Sequence, residues 1–210
     1  MGLIHIDLFT TLDGVAQAPG GPDEDPENGF AFGGWQAPLL DDVVGEQVWA
    51  GMEGLDALLL GRRTYDIFAG YWPDQEQGVD GGIARLFNDV PKYVASRGRP
   101  TLEWANSTLL GADIATAVAE LRERHANVHV IGSLNLVQTL VAQALFDRLS
   151  LWIYPLVLGT GKHVFTDRVV PSNLTLVAPA VTSPNGAVLV RYARADGTPT
   201  TGDMTRPDRV

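Results

Sequence analysis

The sequence predicts an α/β fold: a mostly parallel sheet covered by helices on both faces and ending in an antiparallel hairpin. Two observations predict it. Short apolar runs alternate with helical patterns from "DALLLG" to "LNLVQTLVAQAL", an order that favours parallel pairing through crossovers. After Asp147 the rhythm changes to "RLSLWIYPLVL", "LTLVAPAVTS" and "AVLVRYAR", strands with no long helix between them, and Asn185-Gly186 joins the last two by a strong hairpin signal.

Each element has its own warrant. "LIHIDLF" alternates apolar and polar residues from Leu3 to Phe9 and stops at the turn signal Asp13-Gly14. A Gly-, Pro- and acid-rich stretch from Ala16 to Gly34 then runs without period, as a functional lid or partly disordered loop would. From Asp41 the spacing of Val44, Val48 and Met52 predicts a helix closed by Gly54. "DALLLG" reads as a buried strand, "TYDIFAGYW" as a short helix ended by Pro73, and "KYVAS" and "TLEWANSTLL" as further strands. Asp113 is placed to cap a helix whose Ile114, Val118 and Leu121 share a face. "VHVIG" is the next buried strand, followed by a helix with Val137, Leu140, Val141 and Leu145 on its apolar side. One domain is expected over residues 1–194, with residues 195–210 a disordered tail.

Composition narrows the function. The 210 residues are 45% hydrophobic and 19% charged, which fits a packed core, and the formal charge of −10 without a basic run argues against general nucleic-acid binding. The absence of cysteine removes disulfides, thiolate nucleophiles and cysteine metal sites, so redox chemistry would need a borrowed cofactor. No apolar run approaches the ~20 residues that span a bilayer, and "MGLIHIDLF" is too short and interrupted for a signal peptide, so a cytoplasmic protein is expected. His5, His125, His129 and His163 lack metal-ligand spacing, and no metal is expected.

Three strand ends could carry chemistry. In a parallel sheet ligands bind beyond the carboxyl ends of the strands, and Gly61 ends one such strand just before Arg62, Arg63 and Thr64. Those residues would suit a phosphate; equally, Thr64 could cap a helix beside two solvated arginines. Ser96 and Arg97 repeat the arrangement after "KYVA", and Gly132 and Ser133 repeat it after "VHVI". The last offers amides to a pyrophosphate or makes an ordinary turn, and it is not the G-x-G-x-x-G fingerprint. Among the acids, Asp41 lies on the angular side of Val44 and Val48, so it either faces a pocket or caps its helix.

Taken in order, "TTLDGVAQ", "LLLGRRTYDIF", "KYVASR", "VIGSLNLVQTL" and "DRLSLWIYPLVLGTGKHVF" resemble the dihydrofolate reductase superfamily over residues 2 to 194. The closer likeness is to the bacterial branch that shares its fold with the reductase domain of riboflavin biosynthesis. The resemblance implies a three-layer α/β/α sandwich with NADPH across the strand ends. It implies cofactor contacts from Asp13 and Gly14 at the nicotinamide end, and from Gly61, Arg62, Arg63, Thr64, Ser96 and Arg97 around the adenosine phosphate. Ile131, Gly132, Ser133, Leu134 and Asn135 match the pyrophosphate turn, where relatives usually carry consecutive glycines and Ser133 departs from them. The loop from Ala16 to Gly34 corresponds to the mobile segment over the active site. Asp41 is the nearest match to the acid that helps supply a proton, Trp35 and Trp49 could furnish a substrate trough, and Gly159 to Lys162 match a family loop in which Gly161 and Lys162 either touch substrate or make a tight structural turn. A homodimer through the C-terminal strands is implied as well.

The expected activity is hydride transfer from NADPH to a heterocyclic, imine or carbonyl substrate. A nucleotide-binding sensor or partner subunit without turnover, and a small-molecule binder with no dinucleotide, are the alternatives.

Overall fold

The computed structural model describes residues 1–167 and 169–205. Strand β1, Leu3–Thr11, buries Ile4, Ile6 and Leu8 on one face, as its alternation requires. Helix α1, Asp42–Gly51, ends three residues before Gly54, because Met52 already leaves helical geometry and Gly54, at φ +75°, makes the turn that follows. Strand β2, Ala57–Gly61, is buried on both faces, and helix α2, Arg62–Ala69, starts directly at Arg62. It ends at Gly70, ahead of Pro73, which sits instead in a separate 3-10 turn over Trp72–Asp74.

Helix α3, Gly81–Asp89, is an element the sequence reading lacks; its buried positions are Gly81, Ala84 and Phe87. Strand β3, Lys92–Ala95, follows as expected. Strand β4 is confined to Ser107–Leu109, shorter than the "TLEWANSTLL" run. Asn106 at φ +59° breaks the extension, and Trp104 turns inward, its backbone N–H donating to Tyr65 Oη at 2.9 Å. Helix α4, Ile114–Arg124, carries the predicted cap, with Asp113 Oδ1 accepting from Ala115 and Thr116 N–H. Strand β5, Asn127–Ile131, helix α5, Leu134–Ala142, and strand β6, Arg148–Tyr154, complete the predicted alternation.

The run "LTLVAPAVTS" divides into strands β7, Asn173–Leu176, and β8, Val181–Thr182, on either side of Pro179, which has no N–H to give to a ladder. Strand β9, Val188–Ala195, returns from the hairpin, where Gly186 takes φ +85° and Ser183 N–H donates to Ala187 O at 2.8 Å. The strand therefore reaches Ala195, and residues 206–210 of the expected tail lie outside the described residues.

Among the described residues nine strands form one sheet in the order β4-β3-β2-β5-β1-β6-β9-β7, with β8 also paired to β9. From β4 through β6 every pairing is parallel; β9 enters antiparallel to β6, β7 and β8. Helices α4 and α5 cover one face around Val118, Leu121, Val137 and Leu140. Helices α1, α2 and α3 cover the other, with Val44 in one apolar cluster and Tyr65 and Phe87 in a second. This is the predicted three-layer sandwich. Each fully buried Leu, Ile, Val or Phe contributes roughly 1.5–3 kcal/mol, so these clusters dominate the favourable side of folding. None of the helices among the described residues is long and apolar enough to cross a membrane.

The parallel strands β2, β3 and β5 end together at Gly61, Ala95 and Ile131, which brings Arg62, Ser96 and Gly132 to one edge of the sheet.

Candidate active-site cleft

A cleft of about 1600 Å³ opens over that edge and extends onto the sheet face between α1 and the α2–α3 pair. Gly61 to Thr64, Ser96, Arg97, Ile131 to Asn135, Asp41 and Lys162 all line it. It is large enough for a drug-sized ligand and more.

Two helices present their N-termini to the cleft without a side-chain cap. Gly61 precedes α2, and Ser133 precedes α5 in the left-handed region at φ +61°. Ser133 Oγ does not cap its own helix but accepts Gly61 N–H at 2.8 Å. Gly132 is also left-handed, at φ +67°, so the turn holds two successive residues in the conformation that glycine adopts most readily. That explains the preference for consecutive glycines at this turn in the superfamily that the sequence resembles. The uncapped first-turn amides face the cleft, where the helix dipole favours an anion.

The arginine pair does not act as one unit. Arg62 Nε donates to Asp66 at 2.6 Å on the exposed side of α2. Arg63 instead reaches the long loop, pairing with Asp25 and lying 3.0 Å from Glu27. Lys162 Nζ holds the same two carboxylates at 2.5 Å each. Burial pushes the Asp25 carboxyl up, but the Lys162 hydrogen bond and the charges of Lys162 and Arg63 outweigh it and hold Asp25 below the usual carboxylate range. The Lys162 hydrogen bond does the same for Glu27.

Buried Gln17 organises this loop. Its Nε2 donates to Asp25 O and Glu27 O, its Oε1 accepts Lys162 N–H at 3.0 Å, and its carbonyl accepts Trp35 Nε1–H at 2.8 Å. The stretch expected to be mobile is thus pinned by an ion cluster and an amide hub.

Several expected site residues lie elsewhere. Asp13 and Gly14 are not on the cleft: Asp13 turns away to accept Thr11 Oγ1–H and the Leu158 and Gly159 N–H groups, bonds that lower its carboxyl from the ordinary value. Trp35 is core, packed edge-on against Tyr154. Trp49 is 52% exposed, with its ring beside Gly82 at the start of α3, and does not line the cleft. Gly161 packs against Val15 and Phe30, too close for any Cβ, and only its neighbour Lys162 reaches the cleft. Asp41 does line the cleft, but Oδ1 accepts Val44 N–H at 2.9 Å and Oδ2 accepts Asn185 N–H at 3.2 Å. The Val44 bond first, and the Asn185 bond with it, hold its carboxyl below the usual range, the opposite of what a proton donor needs.

Sequence reasoning missed the floor of the cleft. Asp7, Ser150 and Arg191 are register partners on β1, β6 and β9, so they form one row across three adjacent strands, and all three line the cleft. Gln47 of α1 joins them, its Oε1 accepting Arg191 NH2 at 3.0 Å. Behind Asp7, the buried His129 ring places Nδ1 at 2.7 Å from Asp7 Oδ2 and stacks on His5 with centroids 4.4 Å apart. The signal lay in three successive strands that each carry a polar residue at the same register, which only the sheet order reveals.

A parallel sheet between helices, with a deep cleft crossing its carboxyl ends and continuing onto one face, defines a protein of the dihydrofolate reductase-like fold. The chain belongs to the RibD C-terminal domain family, whose model matches residues 3–188. It is 27% identical over 195 residues to the uncharacterized protein YyaP of Bacillus subtilis (strain 168), covering 90% of this chain and 93% of that one. Among solved structures it resembles a putative riboflavin biosynthesis protein from Shewanella sp. PV-4, with TM-score 0.67 at 18% identity over 92% of this chain and 99% of that chain. It also resembles dihydrofolate reductase from Enterococcus faecalis, solved with NADP(H), with TM-score 0.56 at 13% identity over 93% and 98% of the two chains. Family membership points to a reductase.

Proposed function

We propose that the protein is an NADPH-dependent reductase that transfers hydride to a C=N or C=O carbon of a small heterocyclic, imine or carbonyl substrate. The observation that carries this reading is the convergence on one cleft of two uncapped helix N-termini with Arg62, Thr64, Ser96 and Arg97. Backbone amides and guanidinium groups together suit the two phosphate positions of a dinucleotide phosphate. Arg62 and Arg97 are the better candidates for the 2′-phosphate, since Arg63 is tied to two loop acids whereas Arg62 meets one, Asp66, in an exposed, water-screened pair. The fit extends to shape: the left-handed Gly132-Ser133 turn exposes backbone toward the cleft.

The cofactor would supply the hydride; the chain's part is to bind, orient and exclude water. The loop closed over the cleft by Asp25, Glu27, Arg63 and Lys162 serves that exclusion. The same reading includes a homodimer through the C-terminal strands, supported by Leu174, Leu176 and Val177, which stand 39 to 50% exposed at the β7 edge. Sedimentation at two loading concentrations tests it, and a monomer throughout would remove it.

Thermal shift with NADPH and NADH tests the cofactor. A hundredfold excess over Kd should stabilise the native protein by about 2.7 kcal/mol. NADPH should act more strongly than NADH, and Arg62→Ala should erase the difference. No shift with either nucleotide, in folded protein, would sink the reading. Given a shift, NADPH oxidation is followed with a panel of C=N and C=O compounds that includes 7,8-dihydrofolate.

A further inference from the structure

We propose that Asp7 is the acid that delivers the proton accompanying hydride transfer, with His129 as the positioning residue that holds its carboxyl group in place. The proposal rests on the reductase reading above. Reduction of C=N or C=O by hydride adds two electrons and one hydrogen to carbon and needs one proton at the neighbouring heteroatom, so the cleft requires a group that can hold a proton and give it up.

Asp23 and Asp80 line the cleft as exposed side chains, and its remaining carboxylates apart from Asp7 are committed. Asp41 caps α1 and binds Asn185 N–H. Asp25 is held by Arg63 and Lys162, and Asp66 by Arg62. Asp113 caps α4. Glu24 is raised by burial, yet its Oε2 accepts both Gly20 and Gly21 N–H within the loop itself.

Asp7 differs in two ways. It stands on the rigid floor rather than on a loop, and it is backed by a ring that carries a proton. With Asp7 ionised, the 2.7 Å contact requires a hydrogen on His129 Nδ1, which leaves the other carboxyl oxygen as the place where Asp7 takes up the proton it delivers. One carboxyl oxygen is therefore tied to His129, while the side chain, 27% exposed, keeps its access to the cleft. His129 is only 2% exposed and lies outside the cleft lining, so it can act on substrate only through Asp7. The stacked His5 is held neutral by burial and by the adjacent His129, and its Nε2 donates to Asn127 Oδ1 at 3.2 Å.

The charges facing this pair come from every packed element. Arg191 approaches from β9, Arg148 from β6 and His5 from β1. Helix α1 and its cap contribute the neutral Gln47 and Asp41, α2 brings Asp66, and the stretch between α2 and α3 brings Tyr71 and Asp80 to the cleft. In the proposed step the proton leaves the Asp7 carboxyl for the substrate heteroatom as its C=N or C=O bond is reduced. The resulting carboxylate keeps its bond from His129 Nδ1–H and is reprotonated by solvent on its cleft-facing oxygen. The net consumption is one proton per hydride, and the nicotinamide is the species oxidised.

The test uses the full chain as wild type, Asp7→Asn and His129→Gln, each first shown to be folded by retention of NADPH-induced stabilisation. In nucleotide-free protein, nitrogen-15 NMR of labelled histidine should find the His129 proton on Nδ1 in wild type, and Asp7→Asn should change that tautomer. With the panel compounds and NADPH, Asp7→Asn should lower kcat by ~100- to 10,000-fold while leaving the KM for NADPH within about threefold. His129→Gln should change the shape of the kcat–pH profile as well as its height, which loss of packing alone would not do. Asp7→Asn turning over within threefold of wild type, a wild-type His129 protonated only on Nε2, or no turnover of any panel compound by NADPH-stabilised protein would each overturn the proposal. Those outcomes leave the cofactor reading standing; absence of NADPH stabilisation removes that reading and this proposal together.

Discussion

Ser133 Oγ accepts the backbone N–H of Gly61 at 2.8 Å, tying the carboxyl ends of two neighbouring parallel strands across the mouth of the cleft. The hydroxyl that could have capped α5 is spent holding β2 and β5 in register at the point where both give way to helices. Ser133→Ala removes that acceptor but keeps a side chain in left-handed backbone, and should cost about 1–2 kcal/mol. Ser133→Gly loses the same bond yet relieves a left-handed penalty of about 1–2 kcal/mol, so its loss should be smaller. Urea midpoints should rank wild type above glycine above alanine; an alanine variant as stable as wild type would show the tie contributes nothing.

The loop ion cluster predicts an acid-triggered opening. Asp25 and Glu27 are held below their usual range, so their contribution is fully present above the unfolded carboxylate values near ~4 and is lost as pH falls through the lower folded values. Hydrogen exchange over residues 16–34 should accelerate as pH drops into that window, after correction for intrinsic rates. Asp25→Asn should reproduce the acceleration at pH 7. Exchange unchanged in that variant would mean Gln17 alone pins the loop.

Lys92 gives a pH dependence of the same sign in an alkaline window. Its ammonium is buried, donates to Phe87 O and Asn88 O, and lies 4.5 Å from the Trp104 ring centroid. Burial lowers it to about 8. A folded value below the unfolded one of about 10.4 means the unfolded chain binds more protons in between, so stability should rise from pH 8 to 10 by on the order of 2 kcal/mol. Lys92→Met should flatten that rise in denaturant titrations across the range.

Asp41 separates capping from catalysis. Asp41→Ala should lower Tm by about 2–4 °C through loss of the α1 cap, and leave turnover of any reducible probe within a few-fold. A large fall in kcat with Tm unchanged would return the acid to the chemistry.

Local signals carried most of the fold. Apolar runs ending in Gly61 and Gly132 located the strand ends correctly, because a strand buried on both faces has no polar register to confuse the reading. Helix α3 escaped because it opens on Gly81-Gly82, poor helix formers, and its stability rests on Phe87 packing against Phe68 and Trp72. The strand-end residues of the candidate site, Gly61 to Thr64, Ser96, Arg97 and Gly132 to Asn135, were legible as turn chemistry. The cleft floor was not: His5 and Asp7 occupy the polar phase of an alternating strand, which by itself reads as a solvated face. Only the packing of α1 over that face, with Gln47 above Arg191, makes it an interior. Asp13 was misplaced for a related reason, since its backbone lies at a strand's carboxyl end while its side chain serves the 158–159 loop.

The placement of β9 has a consequence for the order of assembly during synthesis. The strand lies between β6 and β7 and carries Arg191, so the row begun by Asp7 is completed by a residue made more than 180 positions later. A ribosome-bound chain that has emerged only through β6 exposes one margin of its sheet, with Leu151 and Ile153 among the residues awaiting β9. That open margin is the form in which the nascent chain would meet chaperones or a second nascent copy.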